Sequence, residues 1–161
     1  AGAILVTVQI VSLVEDLGHS LVIQTKEEQE KMFEKYLIHP KGFRNVREHQ
    51  EVTGFEVQLR IPYYRGLPMS CVEVIDLSID GEKINNEDMI ITVKGEAFTF
   101  AELPTVINHR WEMTETITVF VKRPSGLSDG EHKIQAFVSL RISYLPFNNV
   151  GDDEKTLVLE A

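Results

Sequence analysis

Cysteine is almost missing from this chain: Cys71 is the only one in 161 residues. A single thiol excludes an intrachain disulfide framework and any zinc site of the CxxC kind, and a reducing cytoplasm is the compartment expected for it. Positive charge is also in deficit, with Lys and Arg numbering 16 against 25 Asp and Glu, for a formal charge of −9 at pH 7. A nucleic-acid surface needs concentrated Lys and Arg, so that function class is excluded. No charged tail, low-complexity tract or internal repeat is present. The uncharged apolar run at residues 1–14, "AGAILVTVQIVSLV", is shorter than the roughly 20 residues of a membrane span and lacks the basic flank of a secretory signal. Its β-branched content reads as a buried strand.

A chain of this length is most simply one domain, residues 1–161. Met32 opens "MFEKYLIHPKGF", which reads as a start, so residues 1–31 can be read either as a genuine N-terminal extension or as the product of a different start site. One segment is helical by pattern: Thr25 and Glu28 form a capping box ahead of Met32, Phe33, Tyr36 and Leu37. His39-Pro40-Lys41-Gly42 ends it. After residue 50 the chain reads as strands, at 52–61, 72–80, 88–94, 97–100, 115–122, 131–144 and 155–160. Asp80-Gly81 and Lys94-Gly95 are hairpin-turn dipeptides. Many short strands without intervening helices predict an all-β fold, an antiparallel β-sandwich of immunoglobulin-like or jelly-roll-like kind with few short helices.

Chemistry is hard to find. His19, His39, His49, His109 and His132 share no H-x-H or H-x-x-x-H spacing, and surface or loop histidines are the expectation. Cys71 precedes the alternating run "VEVIDLSI" and reads as a small core residue rather than a nucleophile. No G-x-S-x-G elbow and no Gly-rich phosphate loop occurs. Asp76, Asp80, Glu82, Glu87 and Asp88 read as a solvated hairpin. Asp152-Asp153 is a loose calcium candidate without the alternating ligands of a calcium loop. No catalytic, cofactor-binding or metal-ligating residue is assigned in this chain.

Two features stand out instead. "PYYRGLPMSC" at 62–71 interrupts two alternating segments with tyrosines, an arginine, a glycine and prolines. Two large aromatic side chains and a guanidinium are an unusual choice for a segment that cannot continue the ladder, though Tyr63 and Tyr64 can alternate as ordinary sandwich residues. Trp111, the lone tryptophan, reads equally as an exposed anchor or as a plug of the core.

The strings "FEVQLRIPYYRGLPMSCVEVIDLSIDGEKI", "LPTVINHRWEM" and "VKRPSGLSDGEHKIQAFVSLRISYLPF" resemble the β subunit of the C-glycoside deglycosidases, from about Met32 to Phe147. The resemblance implies a non-catalytic β-sandwich subunit paired with a TIM-barrel α subunit, as a heterodimer that can build into a larger heteromer. The α subunit would carry a divalent metal (manganese or magnesium) and a histidine base. Its substrates would be 3-oxo-C-glycosides, from which carbon–carbon bond cleavage releases a flavonoid or similar phenol. Tyr63, Tyr64, Arg65, Leu67 and Trp111 are then the residues expected at the partner interface. The competing reading is a freestanding carbohydrate-binding or immunoglobulin-like module with Trp111 and the tyrosines as a sugar platform. A self-sufficient hydrolase has no supporting motif.

Overall fold

The computed structural model describes residues 36–161. The predicted capping box at Thr25 and Glu28, the apolar run at 1–14 and His19 lie outside the described residues. β1 (Arg44–Glu48), β2 (Glu51–Arg60), β9 (Thr116–Lys122), β6 (Met89–Val93) and β7 (Glu96–Thr99) form one sheet in that spatial order. β11 (Asn149–Val158), β10 (Glu131–Leu140), β4 (Val72–Ile79) and β5 (Glu82–Lys83) form the second. β3 (Leu67–Pro68) and β8 (Arg110–Trp111) make a separate two-stranded ladder. Every ladder between these strands is antiparallel.

Alternation explains the layers. In β2 and β9, Phe55, Val57 and Leu59 pair with Val121, Val119 and Ile117, and all six are buried. In β4 and β10, Ile75, Leu77 and Ile79 pair with Val138, Ala136 and Ile134, again all buried. These two apolar faces meet in one continuous core, and the predicted antiparallel sandwich is what forms. Tight turns carry positive φ at both central residues: His49-Gln50 (51°, 71°), Asp80-Gly81 (51°, 86°) and Lys94-Gly95 (51°, 83°). Turns of that hand match the strand twist and set the hairpin registers.

The edges depart from the expected boundaries. β1 was not expected, because "RNVRE" has little apolar alternation for an edge strand to show. β10 leaves its ladder at Leu140, four residues short of the expected end, where the Arg141 N–H donates to the Cys71 carbonyl at 2.7 Å. β11 begins at Asn149 rather than 155, since its inward positions are Gly151, Asp153 and Lys155 instead of apolar residues. The chain at 36–38 spans the two sheets at this side: Ile38 bridges to Leu59 of β2, and its N–H donates to Asp153 Oδ2 of β11 at 2.9 Å. Among the described residues no helix is long and apolar enough to cross a membrane.

At the turn end of the second sheet, the carboxylate of Asp80 is committed to structure, not simply solvated. Its Oδ2 meets Nδ1 of the buried His132 at 2.6 Å, its Oδ1 accepts the Lys133 N–H at 2.8 Å, and Nε2 of His132 lies 2.7 Å from the Ser128 carbonyl. Both ring nitrogens face acceptors, so the doubly protonated imidazolium satisfies both. Burial pulls the His132 pKa down, but the Ser128 carbonyl and the Asp80 carboxylate outweigh it and the net shift is above 6.5. The bond from His132 holds Asp80 below its ordinary 3.8. Arg123, paired with Glu82 at 3.2 Å, opposes the His132 charge, and Lys133 adjoins it in β10.

The sign follows from both shifts. The His132 contribution is complete below about pH 6.5 and is lost as pH rises through the higher folded pKa; the Asp80 contribution is lost as pH falls through its lowered one. Between pH 6 and 9 the wild-type chain should lose about 1–2 kcal/mol that a His132→Gln variant does not. Thermal melts across that range check this, and parallel pH profiles for the two proteins would sink it.

Candidate functional site

The unusual segment at 62–68 leaves β2 and crosses one end of the sandwich. Pro62 is clamped: Asn149 Nδ2 donates to its carbonyl at 2.8 Å, and Gly151 packs so closely that an added Cβ would lie 2.5 Å from Pro62 Cβ. Four residues on, the Arg110 guanidinium donates to the Gly66 carbonyl at 2.9 Å, and Leu67 pairs with Trp111 across the β3–β8 ladder. With both flanks held, the tyrosines between them have fixed directions. Tyr63 turns inward and is 5% exposed, whereas Tyr64 projects outward at 57%.

A second loop, 141–148 between β10 and β11, brings Tyr144 to the same place. Its hydroxyl lies 2.6 Å from that of Tyr63 and 3.0 Å from that of Tyr64. The Tyr63 and Tyr64 rings stand 4.3 Å apart at 45°. The Arg65 guanidinium sits 4.9 Å from the Tyr144 ring centroid and 6.0 Å from that of Tyr64, cation–π geometry at a solvent-facing edge. Tyr144 is 54% exposed, and Phe147 further along the loop is exposed as well. Burial, then the bond with Tyr144 and the nearby Tyr64 hydroxyl, push the Tyr63 hydroxyl well above its ordinary 10. The Tyr64 hydroxyl moves the other way, held below 10 by the bond with Tyr144, then by the nearby Tyr63 hydroxyl and the Arg65 charge.

The five residues expected at a partner surface therefore divide. Tyr64 and Arg65 are exposed together; Tyr63, Leu67 and Trp111 are buried inside the chain. Trp111 is corrected from surface anchor to core plug, at 1% exposure. The reason is the β3–β8 ladder, which lays it opposite Leu67 and against the core. Tyr144 is the residue that sequence reasoning did not single out. "RISYLPF" contains it, but nothing in that string tells that its hydroxyl meets two tyrosines about 80 residues earlier.

The remaining candidates stay apart. His109 pairs with Glu96 at 2.6 Å, His132 with Asp80, and Nδ1 of His39 accepts the Lys41 N–H. Asp152 and Asp153 are neighbours in β11 and point to opposite faces, so they cannot share one calcium ion. Cys71 is half-buried against the core. Among the described residues no three His, Cys, Asp or Glu side chains gather as metal ligands.

Fold and site together define a β-sandwich module whose most distinctive surface is an aromatic, arginine-flanked loop cluster at one end. Residues 33–144 match the family model described as the C-glycoside deglycosidase beta subunit. The chain is 34% identical over 114 residues to a C-glycoside deglycosidase beta subunit of Eubacterium cellulosolvens, a match covering 70% of this chain and 78% of that protein. It is 33% identical over 102 residues to one from Microbacterium trichothecenolyticum, covering 61% and 72%. A 3'-dehydrocarminate deglycosidase beta subunit of a Microbacterium species is 32% identical over 95 residues, covering 58% and 70%. The chain belongs to the C-glycoside deglycosidase beta subunit family, and as a beta subunit it works with a partner subunit.

Proposed function

We propose that this chain is the non-catalytic subunit of a carbon–carbon lyase, docking through its tyrosine–arginine end onto a TIM-barrel catalytic subunit in the cytoplasm. The metal, manganese or magnesium, and the histidine base belong to that partner; the donor groups described above do not form a set that fits a metal. The substrate is a C-glycoside already oxidised to a ketone at the sugar 3-position. That ketone acidifies the proton on the adjacent carbon, and elimination then expels the aglycone, a flavonoid or similar phenol.

The observation that carries the docking role is the juxtaposition of two exposed tyrosine rings and a guanidinium on pinned loops. Tyr and Arg dominate interface energetics because each gives a large contact area with a polar tip. Preorganised loops lose little entropy on association. The freestanding sugar-binding alternative is weakened by Trp111, whose indole lies in the core and offers no stacking face.

The test is association with the co-expressed catalytic subunit. Tyr64→Ala and Arg65→Ala should each raise the subunit Kd roughly 30-fold, about 2 kcal/mol, while the isolated chain's melting temperature stays nearly unchanged. The isolated chain should cleave no C-glycoside, with or without added manganese. Normal binding and full activity for both variants would end the docking role.

A further inference from the structure

The hydrogen bonding of the tyrosine cluster does not balance within the chain. Three hydroxyls carry three protons, and the bonds Tyr63–Tyr144 and Tyr144–Tyr64 use two. Burial decides which hydroxyls are committed. Tyr63 is 5% exposed and its hydroxyl faces the other phenols. Withholding its proton from them would leave a donor unpaired away from water, which is costly. Tyr63 therefore donates inward to the cluster, and the spare proton resides on Tyr64 or Tyr144, both open to solvent. The cluster presents one O–H outward, held in place by two neighbouring phenols.

What surrounds that O–H narrows the ligand. The Tyr64 and Tyr144 rings offer aromatic surface, and Arg65 adds a positive charge beside them. The bond with Tyr144, with the Tyr63 hydroxyl nearby, makes the Tyr64 hydroxyl more acidic than a free tyrosine, hence a stronger donor. An aromatic ring bearing an oxygen with partial or full negative charge meets all three features: ring faces, one donor and a cation.

We propose that Tyr64 and Tyr144 are specificity-determining residues that this chain contributes to the rim of the shared substrate site, where they receive the aromatic aglycone and donate one O–H to a phenolic oxygen on its ring. This rests on the proposed function above, which places the same end against the catalytic subunit. Substrate selection would then depend partly on the subunit that performs no bond cleavage.

The test uses the assembled enzyme carrying Tyr64→Phe, Tyr144→Phe or both, substitutions that keep the rings and remove only the hydroxyls. Two free aglycone probes, a hydroxylated flavone and unsubstituted flavone, are titrated by fluorescence, and KM and kcat are measured for a hydroxylated C-glycoside. The double variant should assemble normally and bind the hydroxylated flavone about tenfold more weakly, with unsubstituted flavone changed less than about twofold. KM should rise by a similar factor while kcat holds. Each single variant should lose less than the double, since either hydroxyl can carry the spare proton. If the double variant assembles and still prefers the hydroxylated probe as wild type does, the inference is overturned while the docking role stands. If assembly itself fails while the isolated variant melts normally, the hydroxyls are spent on the subunit contact. That outcome also overturns the inference, and it supports the docking role.

Discussion

Trp111→Ala should be among the most damaging single substitutions in this chain, lowering stability by about 3–5 kcal/mol and the melting temperature by about 10 °C or more. The indole is a large, fully buried side chain in β8, opposite Leu67, and it contributes to the continuous core. Removing it leaves a cavity under the segment that positions Tyr63 and Tyr64. Trp111→Phe should cost far less. Nε1 of Trp111 is buried without a hydrogen-bond partner among the described residues, so the phenyl ring keeps much of the packing and deletes an unpaired donor. Melting curves of the isolated variants decide the matter. A stable Trp111→Ala chain that fails only in subunit association would return Trp111 to the interface.

The second large effect is expected at Asp153→Ala, about 2–4 kcal/mol. Asp153 lies on the inward side of β11 with only 5% of its side chain exposed. It forms an ion pair with Lys155 and accepts the N–H of the fully buried Ile38. Truncation leaves that N–H without its acceptor and the Lys155 ammonium without this counter-charge. The chain at 36–38 should then loosen from the sandwich. Hydrogen exchange of the Ile38 amide would rise sharply, and Asp153→Asn, which keeps an acceptor but not the charge, should fall between wild type and Ala. Unchanged exchange at Ile38 in Asp153→Ala would show that the contact holds nothing.

Both predictions fall where the sequence was least informative. The central strands could be read because alternation reports burial directly: Phe55, Val57 and Leu59, or Ile75, Leu77 and Ile79, cannot all be hidden unless each lies on one sheet face. Asp80-Gly81 and Lys94-Gly95 were equally legible, since a two-residue hairpin needs positive φ at both positions. The first half of β11 carries no apolar alternation, because its inward Asp153 and Lys155 resemble an outward pair and are told apart only by their ion pair and the Ile38 amide. Asp80 read as one more solvated carboxylate; its bond with His132 crosses 52 residues and leaves no local pattern.

The candidate site divides along the same line. Residues 62–68 announced themselves by composition, and the family could be identified from the strings around them. Which of those residues face outward was decided by tertiary structure. The Pro62 clamp and the β3–β8 ladder turn Tyr63, Leu67 and Trp111 inward and leave Tyr64 and Arg65 outside. Tyr144 joined them only because the loop after β10 folds back over the same end. Sequence by itself determined the β-sandwich and the family, because both are written in local period and local strings. The direction of each aromatic ring came from contacts between segments far apart in the chain, which no local pattern encodes.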